Sequence, residues 1–321
     1  MKISDVKAFY PKWRQVPTGV WQSHFWQIVV QIRSDAGVVG LGYGGGGTPG
    51  AAVVNEHLRE LLVGREINSV EDIRETWDLL YFKSLPYGRK GIPIMALSGI
   101  DLALWDLLGK ERDEPVYKLL GGLTKSKVRA YATTSEFHKA VDLGYTAVKF
   151  SSQWRGEADY EGIAGQAARA RALLGPDALV MSDCYMTWDA AVTLKMAEVL
   201  GEHDLYWFED ILTPDDLDEM AGLREKIGPV QLAGGEHEFT HHGFRDIART
   251  RALDIWQPDI TWCGGITAGL RILDLAREAG ASVVPHRGGE IWGLHLIAAT
   301  DCADLAETMP ARWSNSADVL W

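Results

Sequence analysis

The sequence predicts an α/β protein, a (β/α)7β barrel of the TIM type with an N-terminal α+β capping domain. Three observations carry that expectation. In residues 179–236, three apolar runs each end in an acidic residue: 179–182 lead into Asp183, 205–208 into Glu209, and 230–235 into Glu236. The intervals from 183 to 209 and from 209 to 236 are nearly equal, and each suits one strand, one helix and two short loops. The ladder then continues at similar intervals to Asp259, His286 and Glu307. Upstream of residue 120 this alternation is absent, and a block of strand patterns is followed by a block of helical ones.

Taken in order, residues 3–10, 25–32 and 38–43 read as antiparallel strands, the last two joined by the turn Ser34-Asp35-Ala36-Gly37. Residues 17–24 form a loop with His24 at its exit. Four glycines, Gly44 to Gly47, follow without the Lys-Ser/Thr of a phosphate loop, and a flexible hinge or lid is expected there. Helices are expected over 51–62, after a cap at Ser69 with Asp72 in the first turn, and over 93–110. The last is apolar nearly all round and so buried. The loop before it, 86–91, gathers Arg89 and Lys90, as a solvated turn or a substrate contact. Gly121-Gly122 closes the capping domain at 1–122. The barrel spans 123–310, with strands at 128–133, 146–151, 179–183, 205–209, 230–236, 254–259, 282–286 and 304–308, and 311–321 is a short tail.

Composition bounds the function. The chain has 321 residues, 46% apolar and 24% charged, enough for a large core. A net charge of −12 with no basic stripe argues against nucleic acid, although a divalent ion could reverse the field inside a pocket for an anionic substrate. Cys184, Cys263 and Cys302 are odd in number and widely spaced, as reduced thiols of a cytoplasmic protein would be. No signal peptide or bilayer-length apolar run is read, so neither secretion nor membrane association is expected.

Charged residues ending barrel strands point into one mouth, the C-terminal face. Asp183, Glu209 and Glu236 would there form an oxygen cage suited to Mg²⁺. Asp259 and His286 would sit on neighbouring strand ends, where a carboxylate fixes the imidazole tautomer and raises its basicity. Lys149, two residues before Ser151, could meet a substrate carboxylate or act as a base with a lowered pKa; equally, its stem could pack while its amine stays in solvent. His237-Glu238-Phe239-Thr240-His241 matches the zinc-hydrolase motif, which requires both histidines on one continuous helix. Here it straddles a loop and a helix start, so that reading is set aside.

These residues resemble the enolase superfamily. Ser182-Asp183-Cys184, Trp207-Phe208-Glu209-Asp210 and Gly234-Gly235-Glu236-His237 look like its metal triad. Gln257-Pro258-Asp259 and Val284-Pro285-His286 look like the Asp–His dyad of the mandelate racemase branch, and Ala306-Glu307-Thr308 like that branch's last-strand glutamate. Within the branch the chain is most similar to sugar-acid dehydratases, rhamnonate dehydratase among them, through residues 98–106, 262–267 and 234–238. The resemblance implies one Mg²⁺ per subunit, a cytoplasmic homo-oligomer (dimer or octamer), and a small sugar-acid substrate. It further implies His286 as base, Glu307 as a hydrogen-bonding partner of substrate, and His24 and Lys149 as substrate contacts. Racemases of the branch carry Lys-x-Lys on the second strand, whereas this chain has Lys149-Phe150-Ser151. A racemase, epimerase or cycloisomerase is the alternative and needs Lys149 as its opposing base. Members also continue several tens of residues beyond the last glutamate, whereas this sequence ends at Trp321.

Overall fold

A computed structural model describes residues 1–11, 27–157, 159–303 and 305–309. Strands β1 (Ile3–Phe9), β2 (Ile28–Ser34) and β3 (Val39–Gly44) pair antiparallel in that order. Helix α1 (Gly47–Ala52) passes through a π-helical turn (Val53–Leu58) into α2 (Arg59–Leu62), followed by α3 (Val70–Ser84), α4 (Ile92–Glu111) and α5 (Val116–Leu119). The expected cap is present: Asp72 N donates to Ser69 Oγ at 3.2 Å, and Ser69 N returns a bond to Asp72 Oδ2 at 2.9 Å. The π turn presents Asn55, whose side chain bonds the backbone N and O of Ala8 at 2.8 Å each. An amide thereby closes the far end of a β1 edge whose start is bonded by residues 64–65.

The four-glycine run is not a hinge. It is buried, with Gly44 ending β3 and Gly47 opening α1. The reason lies in the strand that precedes it. Gly40, Gly42 and Gly44 share a face of β3, and a Cβ on them would fall 2.2, 2.2 and 2.4 Å from the carbonyl oxygens of Ala103, Gly99 and Met95 on α4. Those oxygens recur every four residues, so the strand's bare face lies along a ridge of the helix. Among the described residues α4 is the one helix long and apolar enough to cross a membrane, and it is the buried core of this layer.

Eight parallel strands follow: β4 (Arg129–Thr133), β5 (Ala147–Ser151), β6 (Leu179–Asp183), β7 (Trp207–Glu209), β8 (Gln231–Gly234), β9 (Ile255–Trp256), β10 (Ser282–Val283) and β11 (Leu305–Thr308). Between successive members lie α6 (Phe137–Asp142), α7 (Asp159–Leu174), α8 (Ala190–Leu200), α9 (Leu217–Arg224), α10 (Thr240–Thr250), α11 (Gly265–Ala279) and α12 (Ile291–Ala299). The sheet runs β10-β9-β8-β7-β6-β5-β4-β11, and Ala303 N donates to Val283 O at 3.0 Å across the remaining seam. The (β/α)7β expectation is thus met. Strands β9 and β10 are shorter than expected because Pro258 and Pro285 supply no ladder donor.

One interior cluster takes a residue from every strand or its extension: Tyr131, Ala147, Met181, Trp207, Ala233, Ile255, Val284 and Leu305. Two residues further along each strand, the same inward face reaches the barrel mouth. The capping layer is bolted to this barrel at the turn before α11. Trp77 Nε1 donates to Gly264 O (2.7 Å), Gly264 N to Ser98 Oγ (2.8 Å), and Thr267 N to Asp101 Oδ2 (3.0 Å). Asp101 thus caps the α11 N-terminus, where a Cβ on Gly265 would fall 2.2 Å from its Oδ2.

Candidate active site

The mouth layer comprises Thr133, Lys149, Asp183, Glu209, Gly235, Gln257, His286 and Glu307. Lys149 does not reach solvent. It is 1% exposed, donates to Glu209 Oε1 and lies 3.0 Å from Glu307 Oε1. Burial disfavours its ammonium, but Glu209 and Glu307 outweigh that and hold its pKa well above the ordinary value. The expectation of a solvated amine is therefore corrected. Glu209 Oε2 accepts from Trp207 Nε1 at 3.0 Å and Gln257 Nε2 at 2.8 Å, so its carboxylate is turned into the barrel. Burial pushes Glu209 up to about 8 against the pull of Lys149, and pushes Asp183 up to about 6. Asp183 Oδ1 accepts from Tyr185 N at 2.9 Å.

His286 Nδ1 lies 2.8 Å from Asp259 Oδ2, while its Nε2 faces Glu236 Oε2 at 3.2 Å and Glu307 Oε2 at 3.9 Å. Asp259 is buried and fully engaged: Oδ1 accepts from Thr261 N (2.7 Å) and Thr261 Oγ1 (2.8 Å), and Oδ2 from Arg287 Nε (2.9 Å). Burial would raise its pKa, but Arg287 and His286 hold it far below the usual carboxylate range. For His286, burial opposes the imidazolium, yet Glu236, the bond to Asp259 and Glu307 raise it to about 10. Glu307 goes the other way. Burial is overcome by Lys149 and His286, which hold it at about 2, so it is an acceptor, already taking Arg287 N at 2.8 Å.

Glu236 shares its other oxygen with His237, Oε1 to Nε2 3.2 Å. Among the described residues, the group of ligand atoms closest to a metal arrangement is Asp210, Glu236 and His237, mutually within 4.8 Å. Asp210 Oδ2 is buried without a hydrogen-bond partner, and burial together with Glu236, Glu209 and Asp183 raises Asp210 well above the ordinary value. Buried carboxylates that raise one another, with an orphaned oxygen among them, are what a hard dication relieves. The mutually acting carboxylates of Asp183, Glu209, Asp210 and Glu236 supply the hard oxygen donors that fit Mg²⁺.

The zinc motif is not assembled. His237 faces the mouth, whereas His241 lies in α10 and packs on Trp77 and His242, ring centroids 5.8 and 4.1 Å apart. Lys90 of the cationic loop is a tether, its Nζ donating to buried Glu238 Oε2 at 2.7 Å. Ser151 stands exposed at the end of β5, in register with Asp183. His24 lies outside the described residues, as does the 311–321 tail.

Sequence reasoning passes over four polar groups of the mouth. Thr133 and Gln257 are reachable by counting two residues on from Tyr131 and Ile255 along their strands. Asp210 carries a weak signal as a second acid beside Glu209. Arg287, held at φ 53°, gives none.

The enolase C-terminal domain-like family matches residues 132–320, and the mandelate racemase / muconate lactonizing enzyme N-terminal domain family matches residues 5–121. The chain is 38% identical over 299 residues to an L-rhamnonate dehydratase of Saccharopolyspora erythraea, covering 92% of this chain and 76% of that one. A rhamnonate dehydratase from Gibberella zeae, solved in complex with Mg, superimposes with TM-score 0.86 at 30% identity, over 96% of this chain and 83% of that one. The 3,6-anhydro-D-galactonate cycloisomerase of Zobellia galactanivorans gives TM-score 0.83 at 26% identity, over 96% and 87%.

Proposed function

The chain belongs to the mandelate racemase / muconate lactonizing enzyme branch of the enolase superfamily, and from that premise we propose that it is a Mg²⁺-dependent sugar-acid dehydratase, a hydro-lyase. Its substrate is a monocarboxylate of the aldonate type. Asp183, Glu209 and Glu236 would hold the metal, which would supply positive charge against the negative charge that grows on the substrate carboxylate as the α-proton leaves. His286 is the base, set among the carboxylates of Glu236, Asp259 and Glu307 at the mouth. Asp259, itself pinned by Arg287 and Thr261, holds that imidazole through Nδ1 and turns Nε2 toward Glu236 and Glu307, where it takes the proton from C2. The C3 hydroxyl departs as water on receiving a proton back from His286, and the resulting enol takes a solvent proton at C3 to become a 2-keto-3-deoxy acid. Glu307, being ionised, accepts a hydrogen bond from a substrate hydroxyl and keeps Lys149 in place.

The observation that favours dehydration over racemisation is the one-sided set of bases. A racemase needs a titratable group on each face of C2. Opposite His286 the chain offers Ser151, a very weak acid, and Lys149, whose amine is locked between Glu209 and Glu307. The chain is further read as a cytoplasmic homo-oligomer, dimer or octamer; its three free buried cysteines accord with a reducing compartment. The test is a library of acid sugars incubated with Mg²⁺ in D₂O and followed by NMR. A 2-keto-3-deoxy product with deuterium at C3 is expected. Recovered substrate inverted at C2 faster than keto acid accumulates would make the chain a racemase and Lys149 its second base.

A further inference from the structure

We propose that Glu290 is a specificity-determining residue, its carboxyl hydrogen-bonding a hydroxyl of the sugar acid beyond C3. The inference rests on the sugar-acid reading above and deepens it. Glu290 ends the turn that begins at His286, and that turn is folded tightly onto β11. Arg287 is left-handed at φ 53°, Gly289 N donates to Glu307 O at 2.9 Å, and a Cβ on Gly289 would fall 2.2 Å from that same oxygen. Only glycine lets the turn close so far, and its closure keeps Glu290 beside the base.

The carboxyl serves no fold contact that would account for it. Glu290 is the N-cap residue of α12, where an acidic side chain is ordinarily drawn to the free backbone N–H groups, yet it makes no cap hydrogen bond. Its Oε1 is buried without a hydrogen-bond partner, while the side chain as a whole stays 24% exposed at the rim. Arg287 Nε stands 3.9 Å away, beyond hydrogen-bond reach, and donates instead to Asp259 at 2.9 Å. A buried acceptor left unmade is costly, and a hydroxyl brought in by substrate removes that cost. Burial pushes Glu290 up to about 7 against the pull of Arg287. The surroundings select the part of the substrate that reaches it. Asp183, Glu209 and Glu236, at β6, β7 and β8, lie on the side of the substrate carboxylate, and His286, after β10, meets C2. Glu290 lies further on and faces the cap: burial first, then the charge of Glu290, raises the hydroxyl of Tyr43 on β3. The chain beyond C3 enters this space between mouth and cap.

The experiment measures calorimetric binding at pH 8 to the Mg²⁺-loaded full chain carrying His286→Asn, which removes turnover. The probes are six-carbon aldonates and the same acids deoxygenated in turn at C4, C5 and C6. With Glu290 intact, loss of one particular hydroxyl should weaken binding by about 10- to 100-fold. Adding Glu290→Ala should weaken the parent acid by a like factor and leave that deoxy acid nearly unchanged. Glu290→Gln, of the same size, should discriminate only about two- to tenfold, and it decides the matter if circular dichroism shows the alanine variant unfolded. An alanine variant that weakens parent and deoxy acids equally, or weakens neither, overturns the proposal. So does a glutamine variant that discriminates as strongly as the Glu290 protein. Binding of none of the acids overturns this proposal and the sugar-acid reading together. Keto-acid formation by the wild-type protein is followed separately: discrimination through Glu290 without it overturns the dehydratase reading alone.

Discussion

His286 shows how far a side chain's chemistry is set by its contacts. An imidazole in water titrates near 6.5. Here burial alone would lower that value, and the carboxylates of Glu236, Asp259 and Glu307 reverse the sign. The proposed role is exposed by His286→Asn, which keeps one hydrogen-bond donor but cannot accept the proton. Turnover should fall by ~10²–10⁴, and exchange of the C2 proton with solvent deuterium should stop, while Mg²⁺ binding by calorimetry persists. Continued exchange at C2 would assign proton removal elsewhere. Among single residues, the ladder acids, Asp259 and His286 were legible because each ends a hydrophobic run. Asp210 and Arg287 were not, since each follows a ladder residue on the loop side, where no periodicity assigns a direction.

Between elements, the contact of β3 with α4 depends on what is missing. Alternate glycines let the strand backbone approach the helix ridge, and Gly42→Ala places a methyl group 2.2 Å from the Gly99 carbonyl oxygen. Backbone must move to relieve that, so a loss of about 1–3 kcal/mol is expected. Gly165→Ala is the control: it lies inside α7 with nothing within 4 Å of the added carbon, and should gain about 0.5–1 kcal/mol. Urea unfolding of both variants checks the pair; equal effects would remove the steric explanation. From sequence the glycines after Tyr43 read as a hinge, although the same period-two count that finds the barrel strands puts Gly40, Gly42 and Gly44 on one strand face. What that count lacks is the helix on the other side.

For the whole molecule, the mouth couples stability to pH and metal. Asp183 and Glu209 ordinarily titrate near 4 when unfolded, but in the metal-free fold they bind protons up to about 6 and about 8. The folded state then holds more protons than the unfolded one across that window, so its stability falls as pH rises from 5 to 8. His286, raised to about 10, acts in the same direction. Mg²⁺ binds the deprotonated carboxylates, so its affinity should rise with pH over the same range and its binding should release protons. Thermal melts at pH 5.5 and 8.0, with EDTA and with Mg²⁺, should show the larger metal-induced rise in Tm at pH 8.0. A metal effect independent of pH would contradict this coupling.

Local order along the chain was enough to specify the barrel, the succession of its strands and the candidate residues at its mouth. A side-chain period of two and a regular return of apolar runs ending in acids can both be read without knowing any distant contact. The family resemblance marked residues 98–106 and 262–267 without indicating that they touch. Folding alone settled that Ser98 and Asp101 clasp the turn after Asp259, that Lys149 is an enclosed cation, and that Lys90 is tied to Glu238 across 148 residues. Direction along a strand follows from neighbouring residues, whereas burial and charge state depend on every group that folding brings within a few ångströms.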